Sequence, residues 1–354
     1  MAVRTVLVCE AQVPLVRGGA EILVRQLVAR LRHHGFETDL VSVPFKWYPK
    51  DEILSHAAAW RLLDLSESNG KPIDLVIATK FPTYFARHPN KVAWLLHQYR
   101  AAYELCGTVY SDFFHVDLDV GLRRQLIELD TAMLTECRRL YAIARNTASR
   151  LETFNGLRAE VLYHPPVLAD RITAGPPQDY ILSVGRLESV KRHDLAIRAM
   201  AGLPSPRRLV IVGHGTQYEN LQRLTDELGL ADRVTFEGAA ADDRLLELYA
   251  GALAVVYTPF DEDYGYVTLE AFLARKPVVT ARDSGGPLEF VIDGVNGLVC
   301  EPSPDALADA ISRLDGDRGL AASLGDAGCD RARLVTWDGV VERLVGEPHP
   351  VALP

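Results

Sequence analysis

Residues 180–213, YILSVGRLESVKRHDLAIRAMAGLPSPRRLVIVG, hold one repeat of the pattern that organises this chain. YILSVG (180–185) is a short apolar run closed by glycine, as a buried strand of a parallel sheet reads. HDLAIRAMAG (193–202) places its apolar residues at helical spacing. RLVIVG (208–213) is a second buried strand. Strand, helix, strand in this order is the unit of an α/β fold.

The pattern continues downstream. Helix 217–229 leads to strand RVTFEG (233–238), helix 242–251, strand LAVVYT (253–258), helix 267–275 and strand PVVTAR (277–282). A Gly-Gly turn and helix 287–293 follow, and 304–314 and the region near Trp337 are also helical in pattern. A first series lies upstream. TVLVC (5–9) reads as a strand, 20–35 as a helix with Gly35 at its end, 37–43 as a strand and 60–66 as a helix. Two strands are expected at 73–79 and 91–97, and a long helix then a strand within 122–144. Between the two series lie the proline-rich stretches HPPV (164–167) and AGPPQD (174–179), which read as a linker. Two doubly wound domains are therefore expected. Ligands of open parallel sheets bind beyond the carboxyl ends of the strands, so a cleft between the domains is the expected site.

The totals narrow the function. The chain has 354 residues, enough for two domains, and a formal net charge of −9, which argues against general nucleic-acid binding. Its five cysteines, Cys9, Cys106, Cys137, Cys300 and Cys329, are widely spaced without a C-x-x-C, as buried reduced thiols would be. The opening MAVRTVLVCE lacks a signal-peptide layout, and no run reaches the ~20 apolar residues that span a bilayer. The expectation is a cytoplasmic protein, with contact at a membrane surface left open.

Charged residues gather where strands end. Arg186, Lys191 and Arg192 follow the strand that closes at Gly185, a good setting for phosphate. Gly213-x-Gly215 follows the next strand, but a dinucleotide fingerprint would want a third glycine where Tyr218 stands. Gly18-Gly19, with Arg17 beside them, and Gly285-Gly286 sit at strand-to-helix turns and can form anion-binding nests, or simply turns. Glu262 and Glu270 are separated by seven residues, the first in a loop and the second expected in the first turn of a helix. Two carboxylates in one cleft suit a polyol, although Glu270 near a helix start is also explained by the helix dipole. The D-x-D pairs Asp117/Asp119 and Asp261/Asp263 are weak candidates for Mg²⁺. His97 closes its strand, at the end expected to face the site, although a lone histidine is as readily structural.

Together these pieces resemble the retaining glycosyltransferases of family 4, which have the GT-B fold. The matching segments, in order, are GGAE (18–21), His97, VGRLESVK (184–191), VGHG (212–215), RVTFEG (233–238), LYAGA (248–252), the E-x7-E segment and SGGPLEFVIDGVNGLV (284–299). The resemblance implies transfer of a hexose-type sugar from a nucleotide-diphosphate sugar to a sugar, lipid-linked or small-molecule acceptor, without metal or other cofactor. It assigns Arg186 and Lys191 to the donor diphosphate, Glu270 to the ribose and Glu262 to hydroxyls of the sugar. Gly18, Gly19, Gly185, Gly213, Tyr264, Gly265 and Tyr266 would line the donor, and backbone at Thr235 and Phe236 would meet the base. His97 would lie near the reacting sugar. Lys80, Tyr99, Arg100 and Tyr103 are candidates for the acceptor. The chain departs from the pattern at Asp263, where relatives often have Gly, and at Tyr264, where Phe is usual.

The expected division is 1–170 for the acceptor-binding domain and 171–333 for the donor-binding domain. A terminal helix in 334–354 would return to the first. Two alternatives stay open: a sugar-nucleotide epimerase or phosphorylase on the same scaffold, and an NAD-dependent oxidoreductase using Gly213-x-Gly215.

Overall fold

The computed structural model describes residues 3–15, 18–204 and 206–346. Arg17, part of the glycine-turn reading, and the last eight residues of the expected terminal segment lie outside the described residues. The chain forms two compact units, one of residues 1–164 and 336–354, the other Pro165–Val335. The HPPV stretch spans the junction between them.

In chain order the first unit contains β1 (Thr5–Gln12), α1 (Gly19–His33), β2 (Glu37–Pro44) and α2 (Glu52–Leu62). A small antiparallel pair, β3 (Glu67–Ser68) and β4 (Lys71–Pro72), follows. Next come β5 (Leu75–Ala78), β6 (Lys91–Leu95), α3 (Asp117–Thr135), β7 (Arg139–Ala142), α4 (Arg145–Asn155) and β8 (Glu160–Val161). Its main sheet has the order β2-β1-β5-β6-β7-β8, with every pairing parallel. The strands are short apolar runs because both faces are covered by helices. Val8, Cys9, Val76, Ile77, Val92 and Ala93 are all buried.

The second unit contains β9 (Tyr180–Val184), α5 (His193–Ala201), β10 (Arg208–Val212), α6 (Tyr218–Glu227), β11 (Val234–Gly238), α7 (Asp242–Gly251) and β12 (Ala254–Val256). It continues with α8 (Tyr266–Leu273), β13 (Val278–Ala281), α9 (Pro287–Phe290), β14 (Gly297–Cys300), α10 (Pro304–Gly316) and α11 (Arg318–Ala332). The sheet order is β11-β10-β9-β12-β13-β14, again all parallel. Its core joins Ile181, Ile197, Met200, Ile211, Val256, Val279 and Leu314.

Both sheets are doubly wound. The order reverses between β1 and β5 in the first unit and between β9 and β12 in the second, and such reversals open a crevice at the carboxyl ends of the strands.

The last helix, α12 (Trp337–Val345), packs on the first unit. Trp337 stacks on His164 and meets the edge of Trp94. Arg139 donates to the carbonyls of Arg343, Leu344 and Gly346, which satisfies the orphaned carbonyls at the end of α12.

The helix expected at 60–66 is corrected: α2 starts earlier and stops at Leu62. The Asp64 carboxylate accepts from both the amide and hydroxyl of Ser66, and this local turn competes with helix. Helices α4 and α11 and strands β8 and β14 go unmarked in the sequence reading. Among the described residues, no helix is long and apolar enough to cross a membrane.

Candidate active site

The carboxyl ends of β9, β12 and β13 in the second unit gather the charged residues. The loop after β9 is held flat against the loop after β10. Leu187 N–H donates to the His214 carbonyl and Gln217 N–H to Leu187. A Cβ at Gly213 would lie 1.9 Å from the Gly185 oxygen, and one at Gly215 would lie 2.5 Å from the Leu187 oxygen. The G-x-G therefore lets two backbones touch, the tight-turn reading, and no ligand is needed to explain it. Gly185 adds a left-handed φ of 152°. The consequence is that Arg186 projects outward: it is exposed and has no ion-pair partner among the described residues.

Beneath this loop, His193 is buried at the start of α5 with Ser183 Oγ 2.9 Å from its Nδ1. Burial, reinforced by the Lys191 cation, pushes the imidazole down to about 4, so it is neutral at working pH.

Lys191 and Glu262 meet. Lys191 Nζ donates to Glu262 Oε2, and Tyr257 Oη donates to the same oxygen at 3.1 Å. Both side chains are about one-seventh exposed, at 14% each. Glu262 lies in an ordered ribbon: its amide donates to Ser284 and its carbonyl accepts from Gly286. A Cβ at Gly286 would collide at 2.8 Å with Asp263 O, so the Gly-Gly turn serves this interleaving of loops.

Gly265, at φ 80°, is the N-cap of α8, and a Cβ there would lie 2.8 Å from the Tyr257 ring. The first amides of α8 belong to Tyr266 and its successors, and a helix N-terminus favours anions. Tyr264 is buried against Tyr266 and Phe290, so its side chain is packing. Glu270 is corrected in place: it is the fifth residue of α8, in the second turn, beyond the reach of a first-turn dipole explanation. Its Oε2 accepts from Tyr249 Oη at 2.6 Å. Burial holds its carboxyl above the ordinary range, opposed by the Tyr249 hydroxyl.

Arg192 is not an available phosphate ligand. Its guanidinium is consumed by Asp283 and by two backbone carbonyls. Thr235 is exposed on edge strand β11, and Phe236 meets Tyr218 edge-on.

In the first unit Gly18 precedes α1 and Gly19 begins it. Glu21 accepts from the Gly18 amide at 2.9 Å and from Lys80 Nζ at 2.7 Å. Lys80 and Glu21 are both buried, so Lys80 is corrected from a free acceptor contact to half of an ion pair beside the β1–β5 reversal. Burial opposes ionisation of Glu21, but Lys80 and the amides outweigh it and its carboxyl stays low. His97 lies two residues past the end of β6, half-buried, with Nδ1 2.7 Å from the Gln98 carbonyl.

The acceptor wall is largely corrected. Tyr103 is buried and donates to Asp130 at 2.6 Å, so it is core. Arg100 pairs with Glu104. Tyr99 is half-buried among Phe45, Phe81 and Phe113. Asp119, from the D-x-D pair, is held by Lys50 and the Phe114 amide. No cluster of three or more metal-ligating side chains occurs among the described residues. Tyr249, Tyr257 and Asp283 escape the sequence reading: the tyrosines look like core aromatics, and their hydroxyl partners emerge only with the fold.

Residues 170–331 match the family model described as Glycosyl transferases group 1. A D-inositol 3-phosphate glycosyltransferase of Acidothermus cellulolyticus is 28% identical over 93% of this chain and 85% of its own. The same-named proteins of two Mycolicibacterium species match at 32% over 54% of their length. The sucrose-phosphate synthase of Thermosynechococcus elongatus superimposes with a TM-score of 0.75 at 20% identity, over 96% of this chain and 97% of that one. Anabaena HepE, solved with UDP and glucose, gives 0.70 at 19% identity, over 96% and 97%. The fold is GT-B, and the protein is a glycosyltransferase.

Proposed function

We propose that the protein transfers a hexose-type sugar from a nucleoside-diphosphate sugar to an acceptor hydroxyl, with retention of configuration and without a metal ion. The observation that carries this reading is the exposed Arg186, without an ion-pair partner among the described residues, at the β9–β12 reversal and close in sequence to the Lys191–Glu262 pair. In this reading Arg186 binds the diphosphate through two guanidinium donors. Lys191 leaves Glu262 for a phosphate oxygen, and Glu262 is released to accept hydroxyls of the sugar. Glu270, held by Tyr249, takes the ribose hydroxyls, and the amides of Gly265 and Tyr266 face the diphosphate.

Two cations at the diphosphate neutralise the charge that develops as the leaving group departs, which is electrostatic stabilisation of the transition state. The acceptor hydroxyl enters from the same face, and a departing phosphate oxygen takes its proton. By the same resemblance His97 is assigned to the reacting sugar, and Gly18 and Gly19 to donor binding. Tyr99 and Arg100 remain the acceptor assignment. HepE was solved with UDP and with UDP-glucose, which supports a nucleotide-sugar donor here.

Arg186→Ala tests the reading. Loss of a charge-assisted contact of about 1.5–3 kcal/mol lowers kcat/KM by roughly ten- to more than hundredfold. Unchanged turnover would remove Arg186 from the site. Incubating donor without acceptor separates the alternative, since accumulation of an epimerised sugar nucleotide would identify an epimerase.

A further inference from the structure

We propose that Arg192 is a positioning residue that holds the loop carrying Glu262 in register with the loop carrying Lys191. The proposal rests on the donor reading of Lys191 and Glu262 given above.

The geometry is specific. Arg192 Nε donates to the Thr258 carbonyl at 2.8 Å and Nη2 to the Pro259 carbonyl at 2.8 Å. Nη1 and Nη2 also grip both oxygens of Asp283, at 2.8 and 2.6 Å. The guanidinium lies 5.8 Å from the Phe260 ring centre. One side chain thus ties together three loops, those after β9, β12 and β13. The Phe260 amide donates to Val190 and the Asp261 amide to Asp283, so backbone bonds reinforce the same junction. Glu262 follows immediately, and Lys191 precedes Arg192 directly.

The backbone carries a cost for this. Arg192 has φ 52° and ψ 42°, a left-handed conformation that favours glycine. A non-glycine residue is retained in such a conformation when its surroundings over-determine it. Its side chain is only 11% exposed, and a planar fork with five donors matches one carboxylate and two carbonyls in a way that lysine cannot. Arg192 holds the Lys191–Glu262 distance from outside, because four of its five donors are spent on the protein.

The test separates positioning from folding. Nucleoside-diphosphate release is measured with UDP-, GDP-, ADP- and dTDP-glucose, -galactose and -mannose, and the fastest donor is carried forward. Arg192→Gly removes the clamp while relieving the left-handed strain, so the lost bonds are partly offset and the protein still unfolds in one cooperative transition, at a melting temperature only a few degrees below that of the parent. Its kcat/KM nevertheless falls on the order of ten- to a hundredfold, the scale of a displaced site residue. Arg192→Lys recovers part of the loss. Asp283→Ala causes a similar loss, and Arg192→Gly/Asp283→Ala is no worse than either alone. Wild-type kcat/KM in Arg192→Gly, or fully multiplicative losses in the double variant, would overturn the clamp. Lys191→Ala and Glu262→Gln run alongside: full activity in these two, or no reaction with any donor, would instead overturn the donor reading.

Discussion

Glu270 shows how one side chain's environment sets its chemistry. A ribose-binding carboxylate must be ionised to accept two hydroxyls, yet burial raises its proton affinity, and the Tyr249 hydroxyl restrains the rise. Donor affinity therefore falls as pH falls through the Glu270 value. In Tyr249→Phe the restraint is gone and the carboxyl holds its proton to higher pH. We expect the donor KM of this variant to rise and its low-pH loss of kcat/KM to begin at higher pH than in the parent. Superimposable acid limbs would exclude the Tyr249–Glu270 bond from donor binding. At this scale the sequence showed which residues are charged, but not which are available. Arg186 and Arg192 look alike in SVGRLESVKRHD, and only the loop geometry leaves one free and spends the other.

The elements depend on close backbone approaches. Gly213→Ala would drive a Cβ against the Gly185 oxygen at a φ of 142° that disfavours side chains. The two effects together cost roughly 3 kcal/mol, read as a lowered urea midpoint, and they push Arg186 out of place. A midpoint within error of the parent would show that the loops do not need this contact. Apolar runs and helical periodicity made most of the parallel strands and long helices legible. β14 and α11 were not, because GLVC is four residues long and RGLAASLGDAGCDRA has glycines within a weakly amphipathic pattern. Lys80 and Tyr103 resemble acceptor surface in the sequence, which shows polarity and not burial. Their partners Glu21 and Asp130 lie 59 and 27 residues away in the chain.

At the scale of the whole molecule, two sheets of the same construction place a reversal of strand order beside the residues singled out from the sequence. Arg186 follows β9 and Glu262 follows β12, the two strands that flank the reversal in the second unit. That coincidence was open to expectation because strand alternation and strand-end motifs are both local. The acceptor was not, since its recognition depends on burial and pairing across the first unit. The account's central claim is that Arg186 and its neighbours at this reversal bind the diphosphate of a sugar nucleotide. Thermal-shift titration of the parent and Arg186→Ala against UDP-, GDP-, ADP- and dTDP-sugars tests it most directly. At a hundredfold excess over Kd, one sugar nucleotide should raise the parent melting temperature by roughly 5–10 °C, with little or no rise in Arg186→Ala. No shift with any of them, or equal shifts in both proteins, would contradict the claim.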